Sequence, residues 1–127
     1  MPWSIAVHQD PVMVETTYAG RIEPEELARA AKTTLARASD VETNLFLADC
    51  SALEGGHSVV DLYWLADWLE AQPRGHAIRE AVILPGLEKA SEVVTFWQTT
   101  CSNRGLKVRV FDRRQAGIAW LREQASP

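Results

Sequence analysis

Four side chains with the functional groups of a hydrolytic site fall within ten residues of this sequence. They are a carboxylate, two hydroxyls and an imidazole: Asp49, Ser51, His57 and Ser58. A serine nucleophile needs a histidine base and a carboxylate that orients the histidine. Neither serine lies in a G-x-S-x-G turn, and all four residues are expected in one loop. We therefore rank an enzyme that uses this loop last among the functions considered.

Other catalytic chemistries have no better support. The chain contains three histidines, His8, His57 and His76. They are isolated from one another and lack the HxH, HExxH or cysteine-pair spacing of a metal site. Cys50 follows Asp49, whose carboxylate disfavours a reactive thiolate, and the glycine pair at 55–56 lacks the Lys-Ser/Thr of a phosphate-binding loop. We predict no catalytic residues, no metal and no cofactor.

Composition and charge narrow the class of protein. The chain has 127 residues, of which 46% are hydrophobic and 24% charged, as in a globular domain of ordinary size. We therefore expect one domain over residues 1–127. The net charge of −4 offers no basic surface to a nucleic-acid backbone, so no nucleic-acid partner is expected.

The expected location follows from three further features. The beginning, MPWSIAVHQD, lacks the basic start and apolar centre of a signal peptide. No apolar run approaches the roughly 18 residues of a membrane-spanning helix. Cys50 and Cys101 are far apart and suit buried thiols in a reducing compartment. We expect a cytoplasmic protein without an integral membrane segment.

Hydrophobic periodicity predicts the element order ββαβαβαβα. Strands are predicted over 3–8, 12–18, 45–48, 81–84 and 106–111, with helices over 24–39, 58–72 and 88–102 and a last helix capped by Asp112. Gly20 is expected to break the second strand, and Ala116, Ala119, Trp120 and Leu121 are expected to pack the last helix. The alternation requires a mostly parallel central sheet with right-handed crossovers, and the opening hairpin adds an antiparallel strand. The sequence thus predicts a single-domain α/β fold of about five strands and four helices.

We expect function near the segment 43–70. Its apolar run at 45–48 is predicted to end on Asp49, followed by a loop and a helix from Ser58. Ligands of open α/β sheets gather at the carboxyl ends of strands. A serine at a helix N-terminus can cap the backbone, and a phosphate there would meet unpaired N–H groups and a positive dipole end. Ser58 is therefore predicted as a helix cap or a modified switch, with His57 beside it as a cation.

The helix over 58–72 has two apolar stripes. The stripe predicted to face the sheet consists of Leu62, Leu65, Ala66 and Leu69. The second stripe consists of Val60, Trp64 and Trp68, and Phe96 and Trp97 of the next helix could complete it. Such a helix must pack against a neighbour or present one stripe to a partner. Ordinary packing, a homodimer interface and a lipid-like ligand groove all fit this second stripe.

The element order resembles the STAS domain, the fold of the anti-sigma factor antagonists, and most of all its SpoIIAA-like or STAS/SEC14-like group. The resemblance is carried by the strand at 45–49 followed by Ser51, the strand at 80–84, and the closing stretches FWQTTCSNRGLKVRVF and AGIAWL. It covers nearly the whole chain. It implies a SpoIIAA-like fold, and the SEC14-like comparison implies an apolar ligand pocket.

The resemblance also implies a site for a kinase. In anti-sigma factor antagonists, an Asp-Ser-Ser-Gly motif opens a helix and its first serine is phosphorylated. Counting from Asp49 places His57 at the aspartate of the motif and Ser58 at the phosphorylated serine, with Val59 and Val60 in place of Ser and Gly.

Two main functions therefore compete. The leading one is a non-enzymatic regulatory or protein-interaction module, expected to form a homodimer and to meet a regulatory protein or kinase through 49–58 and the helix as far as Trp68. The alternative is a carrier or sensor of a small apolar, lipid-like ligand.

Overall fold

A five-stranded sheet forms the centre of the protein, whose structure is a computed structural model that describes residues 2–125. The strands are β1 (Trp3–His8), β2 (Met13–Arg21), β3 (Leu45–Gly55), β4 (Arg79–Ile83) and β5 (Lys107–Phe111). The helices are α1 (Pro24–Asp40), α2 (Val59–Glu70), α3 (Glu88–Asn103) and α4 (Arg114–Ala125), with a 3-10 turn at Gly75–Ala77. The strands follow one another across the sheet in chain order. β1 is antiparallel to β2 and the other pairs are parallel, which confirms the predicted fold class and element order.

The helices cover the two faces of the sheet unequally. Alternate side chains such as Phe46 and Val82 share a core with residues of α1, α2 and α3. The opposite side chains, among them Leu47 and Ala81, pack against Leu121 of α4. A three-helix layer therefore lies on one face and a single helix on the other, as the period of two along each strand requires.

Local signals explain where the first two crossover helices begin. Pro24 occupies the first turn of α1, followed by Glu25 and Glu26 near the positive dipole end. Ser58 caps α2, and the side chain of Asp61 bonds back to the Ser58 backbone in a reciprocal capping box. The start predicted for each helix is thus confirmed to within one residue.

Strand β3 is longer than predicted. It continues through Asp49 and Ser51 to Gly55, so the predicted loop over 49–56 is mostly strand. The β2 strand likewise continues through Gly20 to Arg21, with shifts of register instead of a break. The predictions of a loop after 48 and of a break at Gly20 are wrong, because pairing between neighbouring strands overrides the local preferences of these residues.

Helix α4 packs through Trp120 and Leu121, as predicted, but not through Ala116 and Ala119. Ala116 and Ala119 are exposed, whereas Gly117 and Leu121 are buried. A Cβ added at Gly117 would lie 3.0 Å from Ile83 Cδ1, so the glycine allows α4 to approach the sheet closely. Within residues 2–125, no helix combines the length and apolarity of a membrane span.

Candidate functional site

The predicted site residues divide between two regions of the molecule. Asp49 pairs with Thr17 and Ile83 inside the sheet, and Ser51 follows it on β3. Ser58 lies beyond the end of β3, and the extended stretch from 49 to 55 alone spans about 20 Å. Asp49 and Ser51 therefore form one group and His57 and Ser58 another, and the four do not assemble into one constellation.

Asp49 and Ser51 belong to an ion-pair network on the α4 face. The Ser51 hydroxyl donates to Asp49 Oδ1 at 2.7 Å, and Arg114 Nη1 lies 3.1 Å from Asp49 Oδ2. The same guanidinium donates to both oxygens of Glu15, at 2.5 and 2.6 Å. His8 Nε2 donates to Glu15 Oε1 at 2.6 Å. Sequence reasoning missed the ion pair between Glu15 and Arg114, because the two residues are 99 positions apart in the chain.

This network joins α4 to the sheet through the ion pairs of Arg114 with Glu15 and Asp49. Glu15 is only 6% exposed, and the hydrogen bond from Arg114 holds its pKa below the usual range, opposed by burial and assisted by His8. Arg114 is the first residue of α4, where the helix dipole disfavours a cation. The two carboxylates offset that effect, and each charged group has a partner. The geometry is that of a satisfied structural network.

Ser58 acts as the cap of α2. Asp61 N lies 3.4 Å from Ser58 Oγ, and the Ser58 hydroxyl donates to Asp61 Oδ2 at 3.0 Å. A phosphoryl group on Ser58 would face this carboxylate directly. His57 Nδ1 donates to the Ile22 carbonyl at 2.9 Å, which ties its ring to the end of β2. A switch at Ser58 stays a prediction, and the geometry favours the capping role.

The predicted second stripe of α2 separates into exposed and half-buried members. Val60 and Trp64 are 59% and 61% exposed, and Tyr63 stacks edge-on against Trp64 at 5.4 Å between ring centroids. Trp68 is half-buried and packs against the core, as do Phe96 and Trp97 of α3. The first turns of α2 thus carry an exposed apolar patch, defined here as Val59, Val60, Tyr63 and Trp64.

A cavity of about 100 Å³ lies between the sheet and the three-helix layer. Most of its wall is aliphatic or aromatic, and it includes residues from α1, α2, α3 and the three central strands. Trp68 and Trp97 contribute to the wall, and so does His57. Trp68 and Trp97, which the sequence assigned to one apolar surface, therefore line the same space as His57, which it assigned to the switch.

Glu80 is the distinctive polar residue of this cavity. It lies on β4, and its Oε1 accepts a hydrogen bond from Trp97 Nε1 at 2.7 Å. Protein surrounds the carboxyl group, and this burial raises its pKa to about 7, with the Trp97 hydrogen bond acting in the opposite direction. Glu80 retains some accessible surface because it faces the cavity. A carboxyl group that exchanges its proton near neutral pH is therefore held in an apolar space.

The other polar groups of the cavity are neutral or paired. Burial raises the pKa of the Tyr18 phenol and of the Cys50 thiol far above neutral pH, and the charge of Glu80 adds to both effects. Thr16 and Thr34 hydrogen-bond to each other at 2.7 Å between their hydroxyl oxygens. Neither Tyr18 nor Cys50 therefore offers a reactive anion, and the cavity is suited to binding.

A surface groove adjoins the cavity. It runs between α1 and α2, has a volume of about 310 Å³, and includes Lys32, Asp61 and Trp64 in its walls. Leu27, Leu65 and Trp68 line both the groove and the cavity. These three side chains therefore lie where the cavity and the groove adjoin.

Within residues 2–125, no three His, Cys, Asp or Glu side chains are grouped in a way that could hold a metal ion. The position of Glu80 could have been noticed in the sequence, since it is a charged residue at the start of the apolar run EAVIL. An acid on the inward face of a central strand needs a reason, because such positions rarely hold an isolated charge.

Comparisons with known proteins bear on the fold. No protein-family model matches the chain, and no curated protein matches it. The chain is similar to the crystal structure of an uncharacterized protein of the DUF3478 family, with a SpoIIAA-like fold, from Shewanella loihica PV-4. The identity is 18% and the TM-score 0.57, over 94% of this chain and 91% of the other. The chain therefore has a SpoIIAA-like fold, as its resemblance to that group implied.

Proposed function

We propose that the protein binds a small, mainly apolar molecule in the cavity beneath α1, α2 and α3, as a carrier or a sensor. The observation that supports this most strongly is the cavity itself. Protein interiors contain few voids larger than a water molecule. Leaving about 100 Å³ unpacked costs up to about 2 kcal/mol of stability. Occupation by a ligand recovers that stability, which gives the fold a reason to keep the space.

The chemistry of the wall indicates the kind of molecule. Tyr18 and Cys50 remain neutral, and Thr16 and Thr34 satisfy each other, so most of the surface favours an apolar body. Glu80 provides one polar contact at a fixed place. Ligand sites of this kind combine a predominantly apolar lining with a few oriented polar groups.

The groove between α1 and α2 provides the entrance in this proposal. Its inner side chains, Leu27, Leu65 and Trp68, also belong to the wall of the cavity. A rotation of Trp68 would join the two spaces, and exposed or half-buried side chains change rotamer readily. The ligand would thus enter beside Trp64.

A change that fills the cavity tests this function. Ala31 lines the cavity from α1, and Ala36 is exposed on the same helix. Ala31→Leu should abolish binding, whereas Ala36→Leu is the matched control with the same gain in volume. The measurement is native mass spectrometry of protein purified from its own host. We expect a bound small molecule on the wild type and on Ala36→Leu, and none on Ala31→Leu. Equal ligand retention by both variants would place the ligand elsewhere.

The second candidate function is protein interaction through the exposed apolar patch of α2. Val60 and Trp64 are each more than half exposed, and contiguous exposed apolar residues mark interaction surfaces. A regulatory partner or a second copy of the chain would cover them, as in the predicted homodimer. Trp64→Ala should then lower the association constant in analytical ultracentrifugation, whereas Leu87→Ala, at an exposed leucine on another segment, should not. A monomer that binds no partner, before and after Trp64→Ala, contradicts this role.

A further inference from the structure

We propose that the ligand of the cavity is a small protonated amine with an apolar body, whose ammonium group pairs with the Glu80 carboxylate. This inference rests on the proposed ligand-binding function and names the chemical class of the ligand. It comes from the charges, the free hydrogen-bonding capacity and the aromatic content of the cavity wall.

The charge of the wall favours a cation. Among residues 2–125, Glu80 is the only acidic residue lining the cavity, and no lysine or arginine lines it. His57 also contributes, but its Nδ1 proton is committed to the Ile22 carbonyl. The cavity can therefore carry a negative charge at Glu80 without a permanent positive charge beside it. A positive ligand supplies the missing counter-ion.

The carboxyl group has capacity for a further donor. Within the described chain, Trp97 Nε1 is its one hydrogen-bond donor, and it reaches Oε1. A carboxylate accepts about four hydrogen bonds. An ammonium group carries three donors and no acceptor, so it matches the unused oxygen of Glu80.

Aromatic side chains surround the same space. Tyr18, Phe46, Trp68 and Trp97 all line the cavity. Cations are attracted to the faces of aromatic rings, most strongly to tryptophan, and the attraction grows when water is excluded. The combination of aromatic walls with one carboxylate suits a cation better than a neutral molecule of the same shape.

Other ligand charges fit less well. A carboxylate ligand would have to share a proton with Glu80, since two adjacent carboxylates cannot both ionise in a buried site. A neutral alcohol would fill the space and leave Glu80 uncompensated. Neither would relieve the burial that raises the pKa of Glu80.

The size of the cavity limits the part of the ligand that it encloses. An apolar cavity of about 150 Å³ holds benzene, so about 100 Å³ suits a body of four or five carbon atoms. A longer body would extend past Leu65 and Trp68 into the groove between α1 and α2. n-Butylamine is therefore the appropriate probe, with n-butanol and butyrate as probes of the same length and different charge.

The test is isothermal titration calorimetry of the three probes at neutral pH. We expect n-butylamine to bind about tenfold more tightly than n-butanol, a difference of about 1.4 kcal/mol, and butyrate to bind most weakly. Pairing should also expel the proton from the protonated fraction of Glu80, about half a proton per ligand at pH 7. Titration in two buffers of different ionisation enthalpy measures that release. Tyr18, Cys50 and Cys101 are the other titratable groups on which the charge of Glu80 acts, and His57 lines the same cavity.

Glu80→Gln provides the matched variant, because the amide oxygen can still accept from Trp97 Nε1. It should lose about tenfold in affinity for n-butylamine, keep its affinity for n-butanol, and release no proton. Equal affinities of the wild type for the amine and the alcohol would overturn the amine assignment and leave the ligand-binding function standing. If no probe binds the wild type, both the amine assignment and the ligand-binding function are refuted. The wild-type comparison needs no variant and remains decisive if Glu80→Gln does not fold.

Discussion

Glu80→Gln should change the pH dependence of stability in a predictable direction. Burial raises the pKa of Glu80 from its ordinary 4.5 to about 7 in the folded protein. The folded state therefore binds this proton more tightly than the unfolded state. The resulting stabilisation is complete below about pH 4.5 and is lost as the pH rises through about 7.

The size of the effect follows from the shift. A difference of about 2.5 pKa units at 1.36 kcal/mol per unit corresponds to about 3 kcal/mol. Most of this stabilisation disappears between about pH 5 and about pH 8. Glutamine does not titrate, so Glu80→Gln should gain about 2 kcal/mol relative to the wild type over this interval. The other ionisable groups are the same in both proteins and cancel in the difference.

Urea unfolding, monitored by circular dichroism, measures the free energies of unfolding of the wild type and of Glu80→Gln at about pH 5 and at about pH 8. Glu92→Gln is the control, since Glu92 is exposed on α3, and its difference from the wild type should not depend on pH. Either of two results would refute the reasoning that Glu80 is buried without a counter-charge. The free energies of unfolding of Glu80→Gln and the wild type could differ equally at both pH values, or the wild type could be the more stable protein at the higher pH.

Two further substitutions test contacts elsewhere in the fold, and each is measured by the free energy of unfolding in urea. Arg114→Met should cost about 2 kcal/mol at neutral pH, because it leaves Glu15 buried without its main partner while Arg114 itself is partly exposed. The hydrogen bond from Arg114 lowers the pKa of Glu15 in the folded protein, so this loss should shrink as acidification protonates Glu15; a loss independent of pH would contradict the ion-pair assignment. Gly56→Ala should cost more than about 1 kcal/mol, since φ is +107° and a Cβ would lie 2.5 Å from Ile22 O. Gly86→Ala, where a Cβ meets nothing within 4 Å, should be nearly neutral, and equal effects of the two glycine changes would contradict the predicted clash.

The fold could be predicted from the sequence because its local signals agree with one another. The Pro24 start of α1 and the Ser58 cap of α2 are encoded in adjacent residues. The apolar runs on β3 and β4 have the composition of buried parallel strands. The end of β3 could not be predicted, because its continuation to Gly55 depends on pairing with β2.

The candidate site was only partly predictable, for the same reason. Val60, Trp64 and Trp68 share a helical stripe in the sequence, but in the assembled fold Trp68 packs against the core and Trp64 is exposed. The Glu80–Trp97 hydrogen bond joins a strand to the following helix. No spacing rule connects such residues, so the cavity emerges only from the assembled fold.

The most direct test of the central proposal is to locate a bound probe. Intermolecular nuclear Overhauser effects can be recorded between n-butylamine and the methyl groups of the protein. Val82 and Val94 line the cavity, whereas Val60 lies on the exposed patch of α2. We predict effects to Val82 and Val94 in the wild type and their loss in Ala31→Leu. Effects confined to Val60, or cavity effects that persist in Ala31→Leu, would contradict binding in the cavity.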